Sequence, residues 1–360
     1  MYKEGKATIK YTKESFLNAD ALISRDISVA YVSETAKKNS SILDCTAATG
    51  IRGIRYYIET RPKDITFLEI NKKAFKSLRK NITLNKVKAD MLCTSIQEFA
   101  NSTDKKFDFI DLDPFGGVTP YIYDLMKVSM DGTHMMITAT DAAVLCGADY
   151  QACMRLYDAR PMHNELCQEV GLRLLTGYVA RIAAQFNFGI EVHMSFSYLH
   201  YMRVFLELHH GAQNAIDSIK NLGYVYYCNK CLNRNTDKSF LPLSNKCNLC
   251  GNPVDAAGKI WLENLSDKGI LDRVAKRMSK AYSQEAREFI QKLTFEIDPP
   301  LFYSIPKITR KMGVGSVSPN KVMALLAEGG FAVSKTYLDK SGIKTDAGIE
   351  KVKNYIKKSR

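Results

Sequence analysis

The chain has 360 residues, 46% of them hydrophobic, with a formal net charge of +13. That length and apolar content suffice for two domains of ordinary size, and they exclude neither an enzyme nor a binding protein. No stretch approaches the roughly 20 uninterrupted apolar residues of a membrane span, and the first thirty residues mix Lys, Glu, Asp and Arg where a signal peptide would be apolar. A cytoplasmic, monomeric protein without membrane association is expected.

From residue 40 onward short apolar runs alternate with longer amphipathic ones. Residues 41–45 (SILDC) read as a strand that carries Asp44 and passes into TAATGIRG, small residues with two glycines, Gly50 and Gly53. Glycine lets a backbone approach a ligand closely, and the helix predicted over 51–60 offers its N-terminal amides. The run lacks the G-x-G-x-x-G of a dinucleotide fold, so an ordinary strand-to-helix turn remains the alternative. A second strand over 65–70 carries Glu69 at its end, where an acid can accept hydrogen bonds from both ribose hydroxyls or simply sit near a helix start. Asn71 is placed to cap a helix running to Asn85, with Ala74, Leu78 and Ile82 on one face. A third strand near 89–94 leads to Ser95 and Ile96, whose hydroxyl and backbone N–H can meet an adenine edge, and then to a short helix over 96–100.

The fourth strand, 107–112, ends in Asp111-Leu112-Asp113-Pro114-Phe115-Gly116. An acid, a proline and an aromatic at this strand end resemble the D-P-P-Y/F motif of amino-methyltransferases. An exocyclic amine is a poor nucleophile because its lone pair is delocalised into the ring, and it must become more tetrahedral to attack. Asp113 and the Pro114 carbonyl can accept its two N–H bonds while Phe115 stacks on the base. A tight turn is the competing reading. A helix around 120–128 and a strand over 134–140 follow, then a long helix over 165–186 and two alternating strands, 189–198 and 201–208. The order implies an α/β fold: a doubly wound, Rossmann-like sheet of the methyltransferase variant, five parallel strands closed by an antiparallel pair. This first domain, with an N-terminal arm, is expected to span 1–210.

Residues 211–360 hold 25 Lys and Arg against 14 Asp and Glu, whereas 1–210 hold 26 against 24. Such an excess reads as a footprint for a polyanion, because each neutralised phosphate releases counterions; a solvated basic surface is the alternative. This second, smaller α+β domain should contain a short helix, a cysteine segment, one helical stretch about 271–293, a break at Pro299–Pro300 and a tail with the basic end KVKNYIKKSR. Of nine cysteines, Cys45, Cys93, Cys146, Cys153 and Cys167 are scattered and expected to behave as small buried hydrophobes. Cys228, Cys231, Cys247 and Cys250 form C-x2-C-x15-C-x2-C. Two such knuckles are the spacing of a zinc ribbon, and four thiolates leave no open position, so the metal would be structural; disulfides and a redox pair are the weaker readings.

Several segments in one order resemble the tRNA guanine-26 N2-dimethyltransferase family: SRDISV at 24–29, ATGIRGIR at 48–55, DLDPFG at 111–116, TATDAAVLCGA at 138–148 and GIKTDA at 342–347. The resemblance covers nearly the whole chain. It implies a tRNA-binding enzyme that transfers one or two methyl groups from S-adenosylmethionine to the N2 amine of a guanine between the D and anticodon arms. By motif, Phe16 and Phe115 would sandwich the guanine, with Asp113 on its amine, and Arg25, Arg52, Glu69, Ser95 and Ile96 would line the cofactor site. Two positions depart from the pattern: Ser24 replaces an expected Asn, and Ser95 an expected acid. The rival functions are amino-methyl transfer to another base or a protein amide, and a non-catalytic RNA-binding zinc protein.

Overall fold

The computed structural model describes residues 1–11, 16–239 and 245–359. A short hairpin, β1 (Tyr2–Glu4) and β2 (Ala7–Ile9), is followed by α1 (Leu22–Thr35), so the expected arm is largely ordered secondary structure. Residues 23–32 of α1 are all buried. A helix apolar or paired on every side has no amphipathic stripe, which is why periodicity passes over it.

The alternation then runs as expected: β3 (Ser41–Asp44), α2 (Ile51–Thr60), β4 (Asp64–Leu68), α3 (Lys72–Leu84), β5 (Asp90–Leu92), α4 (Ile96–Ser102), β6 (Phe109–Leu112), α5 (Ile122–Lys127) and β7 (His134–Ala139). Asn71 caps α3, its side chain accepting from the Lys73 and Ala74 amides at 2.9 and 3.2 Å. Two short helices, α6 (Ala142–Leu145) and α7 (Tyr150–Tyr157), precede the long α8 (Cys167–Gln185), and β8 (Phe188–Tyr198) and β9 (Tyr201–His210) complete the sheet. Its order is β5-β4-β3-β6-β7-β9-β8, five parallel strands with β9 antiparallel to both neighbours. This is the Rossmann-like methyltransferase sheet. One face is covered by α4, α5 and α8; the other by α1, α2 and α3.

After α9 (Ala212–Lys220), a three-stranded sheet forms from β10 (Leu222–Tyr227), β11 (Arg234–Asp237) and β12 (Asp255–Trp261), with β10 central. The single helix expected about 271–293 is two, α10 (Lys268–Arg277) and α11 (Gln284–Phe295). The break falls where Ser283 caps α11 and also donates its backbone N–H and hydroxyl to buried Asp26, at 2.8 and 2.6 Å. Both helices pack on α1 through Ile270, Leu271, Val274, Phe289 and Ile290. The tail comprises β13 (Tyr303–Ser304), α12 (Ile305–Met312), α13 (Pro319–Glu328), β14 (Val333–Lys335), β15 (Gly342–Thr345) and α14 (Ile349–Lys358). Cys45 and Cys153 are buried as expected, but Cys93 is exposed and Cys146 and Cys167 are only partly covered, so small-hydrophobe packing does not describe all five.

A buried charge network locks the C-terminal elements to α8. Glu169, fully buried, accepts from the Leu301 amide at 2.7 Å and from Arg173 Nε and Nη2 at 3.1 and 3.0 Å, with Lys344 Nζ at 3.4 Å. Arg173 Nη1 donates to the Trp261 and Glu263 carbonyls, and Lys344 also pairs with Glu296 at 3.0 Å. Burial alone would push the Glu169 carboxyl up; Lys344, Arg173 and the Leu301 amide outweigh it and hold it below the usual range. Removing one member strands the others without water. Glu169→Ala should therefore cost about 3–5 kcal/mol of stability, read as a lowered urea midpoint; a loss under about 1 kcal/mol, the worth of an exposed pair, would sink this account.

Candidate active site

In an open α/β sheet ligands bind beyond the carboxyl ends of the strands, where the order reverses. Here β3 is flanked by β4 on one side and β6 on the other, and a cleft of about 790 Å³ opens above them. Its walls include Phe16, Arg25, Asp44, Arg52, Glu69, Ser95, Ile96, Asp113, Pro114 and Phe115. Gly50, expected from the sequence at the same site, is the N-cap of α2 and is not among the residues lining the cleft.

The loop after β3 is shaped by left-handed backbone at Ala48 (φ 48°) and Gly50 (φ 80°). A Cβ at Gly50 would lie 2.5 Å from Leu78 Cδ1, so glycine is required both by conformation and by the close approach of α3. Glu69, at the end of β4, fastens this loop: its carboxylate accepts from the Ala48 amide at 2.8 Å and the Asn71 amide at 2.7 Å. Each oxygen retains a lone pair for a ligand hydroxyl. Ser95 is the N-cap of α4, its hydroxyl oxygen accepting from the Glu98 amide at 3.0 Å. That uses one of its two lone pairs, and the other, with the hydroxyl hydrogen, stays available to an adenine edge. Ile96 is the first residue of the helix, where an amide has no intrahelical partner.

The acids at the strand ends are governed by two arginines. Asp111, buried and next to last in β6, receives Arg203 Nη2 at 2.7 Å and faces Arg52 Nε at 3.7 Å. Arg52 then reaches past it to bond Asp113, and Arg203 also bonds Thr138. Burial tends to push the Asp113 carboxyl up, but the Arg52 and Arg203 guanidiniums outweigh burial and hold it below the ordinary value. Asp44 has no such partner. Burial, reinforced by the neighbouring Asp111, pushes it up to about 7 against the pull of Arg52 and the Thr46 and Gly53 amides. Two acids of the cleft, Asp113 and Asp44, are thus pushed in opposite directions by their neighbours.

The turn after β6 presents Phe115 to solvent at 74% exposure, with Phe16 at 51% beside it. Their ring centroids are 4.6 Å apart and their planes inclined by 77°. The two aromatics are thus brought together at the cleft mouth, edge to face rather than as parallel plates, and a base between them requires them to part. Such a contact is worth only about 0.5–1.5 kcal/mol. Arg25 lines the cleft, but its fork is engaged: Nε and Nη2 donate to Glu4 at 2.7 and 2.6 Å, and Nη1 to the Asn18 carbonyl at 2.9 Å.

Sequence reasoning missed Glu4, Asp111 as an anchor, Arg203, Thr138 and Tyr201. One signal was present: Arg203 is a lone cation in the apolar run YMRVFLEL, which a buried strand tolerates only with a partner. Ser24 Oγ and Thr49 Oγ1 are buried in the cleft wall without a hydrogen-bond partner among the described residues, as groups awaiting a polar ligand would be.

The second cluster is the cysteine quartet. Cys228 and Cys250 sulfurs lie 3.5 Å apart, as do those of Cys231 and Cys247, and all four fall within 4.8 Å of one another. The Leu232 and Gly251 amides donate back to the Cys228 and Cys247 carbonyls, closing each knuckle at 2.8 and 2.9 Å.

A family model described as N2,N2-dimethylguanosine tRNA methyltransferase matches residues 1–357. The chain is 31% identical to a tRNA (guanine(26)-N(2))-dimethyltransferase of Methanothermobacter thermautotrophicus, over 98% of this chain and 97% of the relative. To the protein of the same name from Pyrococcus abyssi it is 32% identical, over 99% and 98%. Trm1 from Pyrococcus horikoshii, solved in complex with S-adenosyl-L-methionine, superposes with a TM-score of 0.92 at 30% identity, over 98% of each chain.

Gly53 offers a local test of the site's packing. A Cβ there would lie 2.3 Å from Phe67 Cε1 and 2.8 Å from Asp44 Oδ2, both buried. Gly53→Ala should overpack the loop by about 1–3 kcal/mol, seen as a lower melting midpoint. An unchanged midpoint would mean that the loop and β4 yield freely.

Proposed function

The chain belongs to the N2,N2-dimethylguanosine tRNA methyltransferase family, and from that membership we propose how its cleft works. It is a tRNA methyltransferase that transfers one or two methyl groups from S-adenosylmethionine to the exocyclic N2 amine of guanine 26 in tRNA. The observation that carries the reading of its residues is the Asp113-Pro114-Phe115 turn opening onto the same cleft as Glu69 and Ile96.

The residues present fit S-adenosylmethionine: an acid with spare lone pairs after β4, a free first-turn amide at Ile96, and orphaned hydroxyls at Ser24 and Thr49. When bound, this cofactor supplies an electrophilic methyl on its sulfonium. Glu69 would hold the ribose, Ile96 and the Ser95 hydroxyl the adenine edge, and Asp44, Gly50, Arg25 and Arg52 the methionine end. Arg52 is held by Asp113 and Arg25 by Glu4, so each engages a ligand carboxylate by sharing its fork. Asp113 accepts one N–H of the guanine amine, and the Pro114 carbonyl the other. Because Arg52 keeps the Asp113 carboxyl ionised and weakly basic, its part is to orient the lone pair, with the proton passing on to water. Phe115 and Phe16 close on the two faces of a guanine drawn out of its stack, at a cost of a few kcal/mol.

Residues 1–210 serve in this reading as the catalytic domain and 211–360 as the basic tRNA-binding domain. Lys351, Lys357 and Lys358 are exposed on α14 where they can meet phosphates, Lys358 also standing 5.1 Å from the Tyr355 ring centroid, whereas Lys353 is committed to the Cys231 carbonyl at 2.7 Å. A monomer working on cytoplasmic tRNA is part of this proposal.

Asp113→Asn should cut methyl transfer by roughly 10²-fold or more while cofactor affinity stays within a few-fold, as measured by mass spectrometry of nucleosides from an unmodified tRNA and by equilibrium binding. Near-normal turnover removes Asp113 from the chemistry, and methyl on a different nucleoside overturns the substrate. The cysteine quartet supports a structural zinc, since four converging sulfurs leave no catalytic position. Cys228→Ser should release that zinc on elemental analysis and destabilise β10–β12 and the α14 contact; retention at full stoichiometry would refute the site.

A further inference from the structure

A second group of chemistry-bearing side chains lies at the end of the sheet opposite the cleft. His134 opens β7, whose far end carries Thr138 at the cleft wall. In register, His134 pairs with Glu207 of β9, and Glu207 pairs with Glu191 of β8. The β8–β9 register shifts between Val192 and Met194, which makes His193 the extra residue of a bulge. Bulges re-aim a side chain, and this one brings His193 beside Glu207. The Nε2 atoms of His134 and His193 lie 3.9 and 3.5 Å from the same Glu207 Oε2. One ring nitrogen of each histidine and a Glu207 oxygen fall within 4.8 Å of one another.

We propose that His134, His193 and Glu207 form a site for zinc or a similar divalent first-row metal, with two imidazole Nε2 atoms and one carboxylate oxygen as ligands. Two imidazoles and a carboxylate are a donor set that such ions favour, with a fourth position left for water. Ligand atoms around a tetrahedral ion with bonds of about 2.0–2.1 Å sit roughly 3.3 Å apart, so the two distances to Glu207 need only a small contraction. The outer shell is already built. The Tyr31 hydroxyl of α1, wholly buried, meets Nδ1 of His134 at 2.9 Å and Nδ1 of His193 at 2.7 Å. With metal on both Nε2 atoms each ring carries its proton on Nδ1 and donates it to this oxygen, the arrangement that orients metal-bound histidines. Glu191 stands at the rim, 3.8 Å from His193 Nε2, itself paired with His209 at 3.1 Å. An ion here would pin β7, β8 and β9 together beneath α1, the helix that carries Ser24 and Arg25 into the cleft wall.

The test is a cobalt(II) titration of the metal-free, full-length protein, which separates the two sites by their spectra. Cobalt in the four-cysteine site gives intense thiolate charge-transfer absorption in the near ultraviolet. Cobalt held by two histidines and a carboxylate should add a second equivalent with visible absorption and no charge transfer, and should raise Tm. Glu207→Gln and His193→Asn should each weaken the second equivalent at least tenfold while leaving the thiolate band intact, and that band reports that the variants are folded. Uptake that stops at one equivalent with thiolate absorption in the unaltered chain overturns the proposal. So does a second equivalent that survives both substitutions.

Discussion

The site depends on how a carboxylate is buried at the centre of the sheet. Asp111, next to last in β6, has almost no contact with water, and an isolated ionised carboxylate in that position would be too costly to keep. Arg203 from β9 and Arg52 from α2 supply the compensation from opposite sides, and the Tyr56 hydroxyl donates to the same group. The charged groups beside it inherit this arrangement. Arg52 is fixed because Asp111 holds it, Asp113 stays ionised because Arg52 reaches it, and Asp44 is left without a cation because both arginines are spent on its neighbours.

The cleft is framed in a second way by the N-terminal hairpin. Glu4 accepts from Arg25 and from Arg55, and Arg55 also pairs with Asp26 and Glu59, so β1 is clamped to α1 and α2 by buried charge. Asp26 in turn receives Ser283 at the start of α11. A residue near the amino terminus, a helix of the sheet domain and a helix of the basic region are thus joined by one continuous set of ion pairs and hydrogen bonds. Together with the Glu169–Arg173–Lys344 network, this fixes the basic region relative to the cleft.

Much of this protein was determined by the sequence alone. The strand-and-helix alternation from 41 to 210, the N-cap at Asn71, the turn at Asp113–Phe115 and the paired cysteines are local features, set by periodicity, capping and spacing that act over a few residues, and they were legible without coordinates. So was the convergence of Asp44, Glu69, Ile96 and Asp113, because a doubly wound sheet places consecutive strand ends side by side. Tertiary structure alone decided the rest, for a physical reason common to each case. α1 is buried on all sides and so carries no amphipathic signal; the break between α10 and α11 is made by Asp26, some 257 residues away in sequence; and Arg25 found Glu4. The identity of a buried charge's partner is a property of the packed interior, where burial makes the pairing obligatory, and no local pattern in the chain records which distant residue will meet it.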